Sequence, residues 1–273
     1  MAASTKPYNL PSDAVWLTRG LPCSQRTHIS NRLLLRHRRR PRQVPRDPSA
    51  LTADLIPDGP GVLKARLDVT SGASIDAALA RFGRVDVLVN DAGARCRPCA
   101  ATPPAPPSSF VSSFGGFCAA PGSAFYHASK FALEGFAESL AKELHPDWGI
   151  HVCCLEPGGV RTRFLGSSFR LMERRHPEYG GDHMPTNVNL KMMEDPDIAE
   201  SFGTPEQVAR AVWAMMSAGK RLPMRLPLGT DAWAMVSGEL DAVRGELEEW
   251  KDVSRSVGNQ KGLERIEVLK KIA

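Results

Sequence analysis

The chain has 273 residues, 42% of them hydrophobic and 24% charged, with a net charge of +5. That length holds one sizeable α/β domain with a real core, and the composition is ordinary for a globular protein. No apolar run approaches the roughly 18 residues of a membrane span, and the N-terminus has no basic region followed by an apolar one, so neither a span nor a secretory signal is expected. Six cysteines and no Asn-X-Ser/Thr site point to a cytoplasmic chain with free thiols. The charge is uneven. Nine arginines and no acid lie between Ala14 and Arg46, which leaves the remainder at −4.

Asp13–Thr18 reads as a first strand. The stretch after it, with Arg38, Arg39 and Arg40 in a row and prolines at 41, 45 and 48, has little periodicity and reads as poorly ordered, with a short helix over Asn31–Arg36. Gly61–Asp68 reads as a strand and Ser74–Arg81 as a short helix. Arg84–Asn90 is a strand with the nearly continuous apolar run of one buried on both faces. Residues 95–109 form a loop with five prolines. A long helix is predicted from Ala124 to Leu144, with Ala128, Ala132, Phe136, Leu140 and Leu144 as its buried stripe and Glu138–Lys142 as a supporting pair. Strand Ile150–Leu155 leads to the turn Glu156–Gly159. The last third reads as helical. Thr204-Pro-Glu-Gln207 is a capping box with proline at the first helical position. Trp233, Val236, Leu240, Val243, Leu247 and Trp250 make one apolar seam, packed on the domain or on a second subunit. Strands alternating with helices argue for a parallel sheet with helices on both faces.

Tyr126 and Lys130 stand four apart, on one face of the long helix. A phenol titrates near pH ~10, and an ammonium one turn away stabilises its phenolate, which makes it a usable acid/base near neutrality. Alone, such a pair is more often two surface residues than a catalytic device. Four other stretches fall at the carboxyl ends of predicted strands, where doubly wound sheets bind ligands. They are Asp68-Val-Thr70, Asn90-Asp-Ala-Gly93, Val111–Gly116 and Pro157–Thr162. Cys96-Arg-Pro-Cys99 lacks the second ligand pair that a zinc site needs, so no metal is expected. His127 and His151 read as packing or surface residues.

From about Val62 to Leu165, and more loosely to Gly229, the chain resembles the classical short-chain dehydrogenases/reductases. It is similar to a fungal branch with stretches like Phe125–Gly135, Glu156–Thr162 and Arg225–Gly229. The resemblance implies a Rossmann-like doubly wound parallel sheet with C-terminal helices, and reversible hydride transfer between NAD(P) and a carbonyl/alcohol pair. It makes Tyr126 the acid/base, Lys130 its partner and a ligand of the nicotinamide ribose, and Ser113 the holder of the substrate oxygen. Ser112 is rejected on spacing. Gly20 is what remains of the pyrophosphate turn. Asp68 would contact the adenine, and Asn90, Ala92 and Gly93 would floor the adenine ribose. Pro157, Gly158 and Thr162 would border the nicotinamide. Arg46 stands where a basic residue reads a 2′-phosphate, which favours NADP(H) over NAD(H). The implied partners are a small hydrophobic carbonyl or alcohol and, by resemblance, further copies in a homo-oligomer.

The pattern also breaks. The glycine-rich turn after the first strand is absent, and Pro22 removes an N–H that it would use. The helix before Asn90 is about one turn short. Twenty residues separate Gly93 from Ser113 where the family has a full helix and strand, so the relay asparagine is missing and the sheet is expected to be incomplete. A mis-joined exon over residues 18–45 and a skipped segment would account for this. Residues 1–59 are accordingly set apart as a degenerate N-terminal segment and 60–273 as the core. Three readings remain open: a working NAD(P)-dependent oxidoreductase, an impaired relative that binds cofactor poorly, and a basic interaction or nucleic-acid-binding protein.

Overall fold

The computed structural model describes residues 16–20, 33–36, 63–66, 87–90, 108–162 and 176–259, with a few further helical positions near 73–80 and 261–267. Seven strands form one sheet. They are β1 Trp16–Gly20, β2 Leu33–Arg36, β3 Leu63–Arg66, β4 Val87–Asn90, β5 Ser108–Val111, β6 Val152–Pro157 and β7 Arg225–Leu228. Their spatial order is β3-β2-β1-β4-β5-β6-β7, and every neighbouring pair is parallel. The order reverses at β1, which lies between β2 and β4. This is the doubly wound arrangement, and it opens a crevice at the carboxyl ends of β1 and β4.

Two strands correct the sequence reading. Leu33–Arg36, expected as part of a short helix in a poorly ordered stretch, is a strand held between β1 and β3. Three consecutive leucines suit a slot in a parallel sheet, and pairing on both edges overrides local propensity. Arg225–Leu228 is a strand inside the third that reads as helical. It is short, and Pro227 disguises it. Proline is tolerated because, among the described strands, β7 lies at the edge of the sheet and pairs with β6 alone. The incompleteness expected of the sheet shows in its short strands and in the short connection 91–107, not in an absent strand: Ser108–Val111 fills the place between β4 and β6. The sheet also crosses the expected boundary at residue 60, since β2 pairs with β3.

Six helices are described: α1 Ala124–Glu143, α2 Pro185–Glu194, α3 Pro196–Ser201, α4 Pro205–Met216, α5 Thr230–Glu249 and α6 Lys251–Arg255. They cover both faces of the sheet, as β6 shows. Cys153 and Leu155 pack with Ala209, Val212 and Met216 of α4, while Val152 and Cys154 pack with Ala137 of α1 and Phe110 of β5. The adjacent thiols thus point to opposite faces, as strand geometry requires. At the start of α4, the Thr204 hydroxyl accepts from the Gln207 N–H while the Gln207 side chain accepts from the Thr204 N–H. Both halves of the predicted capping box are present.

The buried stripe of α1 differs from the expected one. Ala128, Ala132 and Phe136 are exposed, and the helix buries His127, Glu134 and Ala137, with Leu140, Ala141 and Leu144 packed at its end. A recurrence of four drifts about 40° per step on a helix of 3.6 residues per turn, so such a row spirals off one face. Alternating steps of three and four stay on it. His127, Lys130, Glu134, Ala137 and Ala141 follow that alternation.

Candidate active site

β5 ends at Val111, and the chain turns through Ser112 and Ser113 into a 3-10 turn, Phe114–Gly116. Ser113 caps this turn. Its Oγ accepts from the Gly115 N–H at 3.1 Å, and the residue is buried. Helix α1 then runs back past the end of β5. Lys130 Nζ donates to the Val111 carbonyl at 3.1 Å and stands 5.9 Å from the centroid of the Tyr126 ring. The ammonium is therefore anchored at the carboxyl edge of the sheet with the phenol beside it. Gly115 is the meeting point. A Cβ there would stand 3.2 Å from Tyr126 Cε1 and 2.8 Å from His127 Nδ1, so only glycine lets the turn pack this closely on the helix. Ser113 and Tyr126 thus approach each other across one glycine. The Gly115 N–H occupies an acceptor site of Ser113 Oγ, which leaves the hydroxyl proton to be donated elsewhere.

Ser112 looks the other way. Its Oγ is buried without a hydrogen-bond partner, on the side of Gly116 that faces Glu134.

His127 does more than pack. Its Nε2 accepts from the Ala120 N–H at 3.0 Å, and its Nδ1 lies 2.9 Å from the Gly115 carbonyl. A neutral ring protonated at Nδ1 satisfies both contacts, so the imidazole ties residues 115 and 120 to α1. Sequence reasoning missed this role. The signal was available in the position of His127, next to Tyr126 on the stripe with alternating steps.

On the far side of β5 and β6, the Pro157–Thr162 segment follows the edge. Gly158 N–H donates to the Leu228 carbonyl at 3.0 Å, and Gly159 N–H donates to Asp231 Oδ2 at 2.6 Å. Asp231 lies in the first turn of α5 and fixes the loop that the resemblance assigns to the nicotinamide. Thr162 Oγ1 donates to the Val160 carbonyl at 3.1 Å. Gly20 is the last residue of β1, paired with Arg36, and Asn90 is the last of β4, paired with Arg19 and Phe110. The carboxyl edge therefore brings together Gly20, Asn90, Ser113, Tyr126, Lys130, Pro157, Gly158 and Thr162. Arg46, Asp68, Ala92, Gly93, Cys96 and Cys99 lie outside the described residues.

Behind this edge is a polar cluster around half-buried Arg225, with Glu134 and Glu156 buried. Arg225 Nε donates to Glu134 Oε2 at 3.1 Å, and its Nη2 donates to Glu138 Oε2 at 2.6 Å. Lys142 Nζ bonds Glu138 Oε1 at 2.7 Å, the i,i+4 pair expected from sequence. The Lys142 bond first, and then the Arg225 bond, pull the Glu138 carboxyl down to about 2. Glu156 is fully buried, with Arg225 Nε 3.9 Å away and no hydrogen bond to either oxygen. Burial, reinforced by the negative charge of Glu134 and opposed by Arg225, pushes it up to about 7. Burial also raises the thiols: Cys153 goes up to about 12, and Cys154 and Cys118 move in the same direction. These three are free and buried, and unsuited to act as thiolates.

Comparison with known proteins gives this geometry its context. Residues 110–172 match the family model for short chain dehydrogenase, a stretch containing Ser113, Tyr126 and Lys130. The chain is 32% identical to oxidoreductase calM of Penicillium decumbens over 92% of this chain and 95% of that protein. It is 31% identical to oxidoreductase BOA17 of Botryotinia fuckeliana over 53% of this chain and 50% of that one. Among solved structures, a short-chain dehydrogenase from Streptomyces avermitilis aligns with a TM-score of 0.66 and 28% identity, covering 91% of this chain and all of that one. A serine, a tyrosine and a lysine meet at the carboxyl edge of a doubly wound sheet, in a chain 32% identical to an oxidoreductase over 92% of its length: this protein belongs to the short-chain dehydrogenase/reductase family.

Proposed function

We propose that the protein transfers a hydride between NAD(P) and a carbonyl/alcohol pair on a small hydrophobic molecule, with Ser113, Tyr126 and Lys130 as its working residues. The observation that carries this is the anchoring of Lys130 Nζ on the Val111 carbonyl with its ammonium beside the Tyr126 ring. Family membership implies a nicotinamide cofactor, and the residues described at the nicotinamide end fit one. The 157–159 loop is fixed by the Gly158 N–H bond to the Leu228 carbonyl and the Gly159 N–H bond to Asp231, and glycine at 158 and 159 lets the Asp231 carboxylate and the Phe202 ring pack directly against it. Pro157, Gly158, Thr162 and Lys130 would hold that group, and Gly20, Asn90, Ala92, Gly93 and Asp68 its adenosine half.

The bound nicotinamide supplies the hydride chemistry. The protein handles the proton. In the reducing direction Tyr126 Oη gives its proton to the carbonyl oxygen as the C–H bond forms, and the Lys130 ammonium stabilises the phenolate left behind. Ser113, with an acceptor site filled by Gly115 N–H, donates its hydroxyl hydrogen to the same oxygen and fixes it in place. The charge on Arg46 supports NADP(H) over NAD(H), and the buried free thiols fit a reducing compartment such as the cytoplasm. Among the described residues no helix is long and apolar enough to cross a membrane.

Titrating the folded protein with NADPH and NADH, following nicotinamide fluorescence, tests the reading. Micromolar binding, tighter for NADPH, is expected. Absence of binding at millimolar cofactor would replace it with the impaired-relative reading, in which the short 91–107 connection and the lost glycine turn have removed the cofactor site.

A further inference from the structure

We propose that Asp231 is a positioning residue for the nicotinamide half of the cofactor, acting through the 157–159 loop. The inference rests on the oxidoreductase reading above. Pro157 is followed by two glycines, and two in a row give a backbone with little preference of its own. The step between them is fixed from outside. Asp231 Oδ2 accepts the Gly159 N–H at 2.6 Å. The Gly158 carbonyl belongs to the same planar peptide unit as that N–H and points the opposite way, so one bond sets the direction of both groups. The carboxylate reaches this peptide because two glycines make room for it. A Cβ at Gly158 would run into both Asp231 oxygens, and a Cβ at Gly229 would run into Oδ1. Gly229 also has a φ of 130°, a conformation that strains any other residue. One carboxylate is thus seated between glycines from distant parts of the chain.

On its other side the loop is gripped backbone to backbone. The Gly203 N–H donates to the Gly159 carbonyl at 3.0 Å, and the Arg161 N–H donates to the Gly203 carbonyl at 2.8 Å. The Phe202 ring fills the space where a side chain at 159 would go. The Gly158 N–H is held by the Leu228 carbonyl at 3.0 Å. These contacts lay the loop along the sheet edge, and the Asp231 bond turns the 158–159 peptide within it. Asp231 is itself anchored, because it lies in the first turn of α5, where the helix N-terminus favours an acid. A charged acceptor makes the stronger bond, so asparagine at 231 keeps an acceptor and weakens the hold. The adenosine half belongs, on the same reading, at the ends of β1 and β4, across β5 from this loop. A change at Asp231 therefore separates the two halves of the cofactor.

The test uses the full chain with folding checked by circular dichroism. Amide hydrogen exchange, followed by NMR without cofactor, reads the bond directly. In Asp231→Ala the Gly159 amide is expected to exchange about tenfold faster, and in Asp231→Asn the acceleration should be smaller. Calorimetric titration reads the consequence. Asp231→Ala is expected to weaken NADPH about tenfold, while 2′-phospho-ADP-ribose, the same molecule without its nicotinamide, binds as it does to wild type. NADH and ADP-ribose serve as the pair if the chain prefers them. Asparagine should recover part of the lost affinity. A general loosening of the fold would weaken both members of a pair together. Equal weakening of the two, NADPH and NADH affinities indifferent to Asp231→Ala, or a Gly159 amide that exchanges at the wild-type rate in that variant would each overturn the proposal alone. A wild-type chain that binds none of these nucleotides would overturn the oxidoreductase reading, and this inference with it.

Discussion

Tyr126 is the residue on which the chemistry rests. Replacing it with phenylalanine removes one oxygen and keeps the ring that packs against Gly115. Turnover of any accepted carbonyl should fall by about two to four orders of magnitude, with cofactor affinity nearly unchanged, as steady-state rates and fluorescence titration would show. His127 predicts a different signature. Phenylalanine at 127 leaves Ala120 N–H and the Gly115 carbonyl without their partner and loosens the turn that Ser113 caps. The expected result is a fall in turnover together with lower thermal stability. Asparagine, which can both donate and accept, should recover part of each. A variant as stable as wild type but equally slow would show that His127 acts on the chemistry directly.

Strand β6 and helix α1 carry the carboxyls around Arg225, Glu156 buried and Glu138 half-buried, and pH reads them out. Glu156 holds its proton to about 7 in the folded chain, above the ordinary 4.5 of a solvated carboxyl. Between those values the unfolded chain has released this proton and the folded chain has kept it, so the Glu156 contribution to stability falls as pH rises. Above 7 it stays low. Glu156→Gln removes that slope. The variant should gain on wild type by roughly 3 kcal/mol between pH 4 and pH 8 in urea denaturation. Glu138 acts in the opposite sense. Its carboxyl is held at about 2, so its contribution is present above 4.5 and is lost as the pH falls toward 2. At the head of α4, Thr204→Ala removes one half of the capping box and should cost about 1 kcal/mol in the same assay.

At the scale of the whole molecule, most of the fold that could be read from sequence lies where local signals agree with tertiary pairing. The capping box at Thr204, the apolar run of β4 and the opposed thiols of β6 are each set by near neighbours in sequence. Leu33–Arg36 and Arg225–Leu228 were hidden because a four-residue strand is stabilised by the strands beside it, and nothing within four residues announces them. The serine, tyrosine and lysine were legible through motif and spacing. Asp231 and the Arg225 cluster were not, since they join residues about 70 to 90 apart in sequence. The arginines of 14–46 also make a prediction for the whole chain. As an oxidoreductase, it should not be retained on duplex DNA at about 150 mM salt. Retention that fades steeply with added salt in filter binding would favour the basic interaction protein instead.

The two thiols of β6 are a built-in pair of clocks. Cys153 looks into the layer of α4 and Cys154 into the layer of α1, one peptide apart. A thiol reagent reaches each sulfur only when the layer above it lifts. If both label at one rate, the sandwich opens as a single cooperative unit. If one labels first, the two layers are separate foldons. The faster sulfur then names the helix that leaves the sheet first.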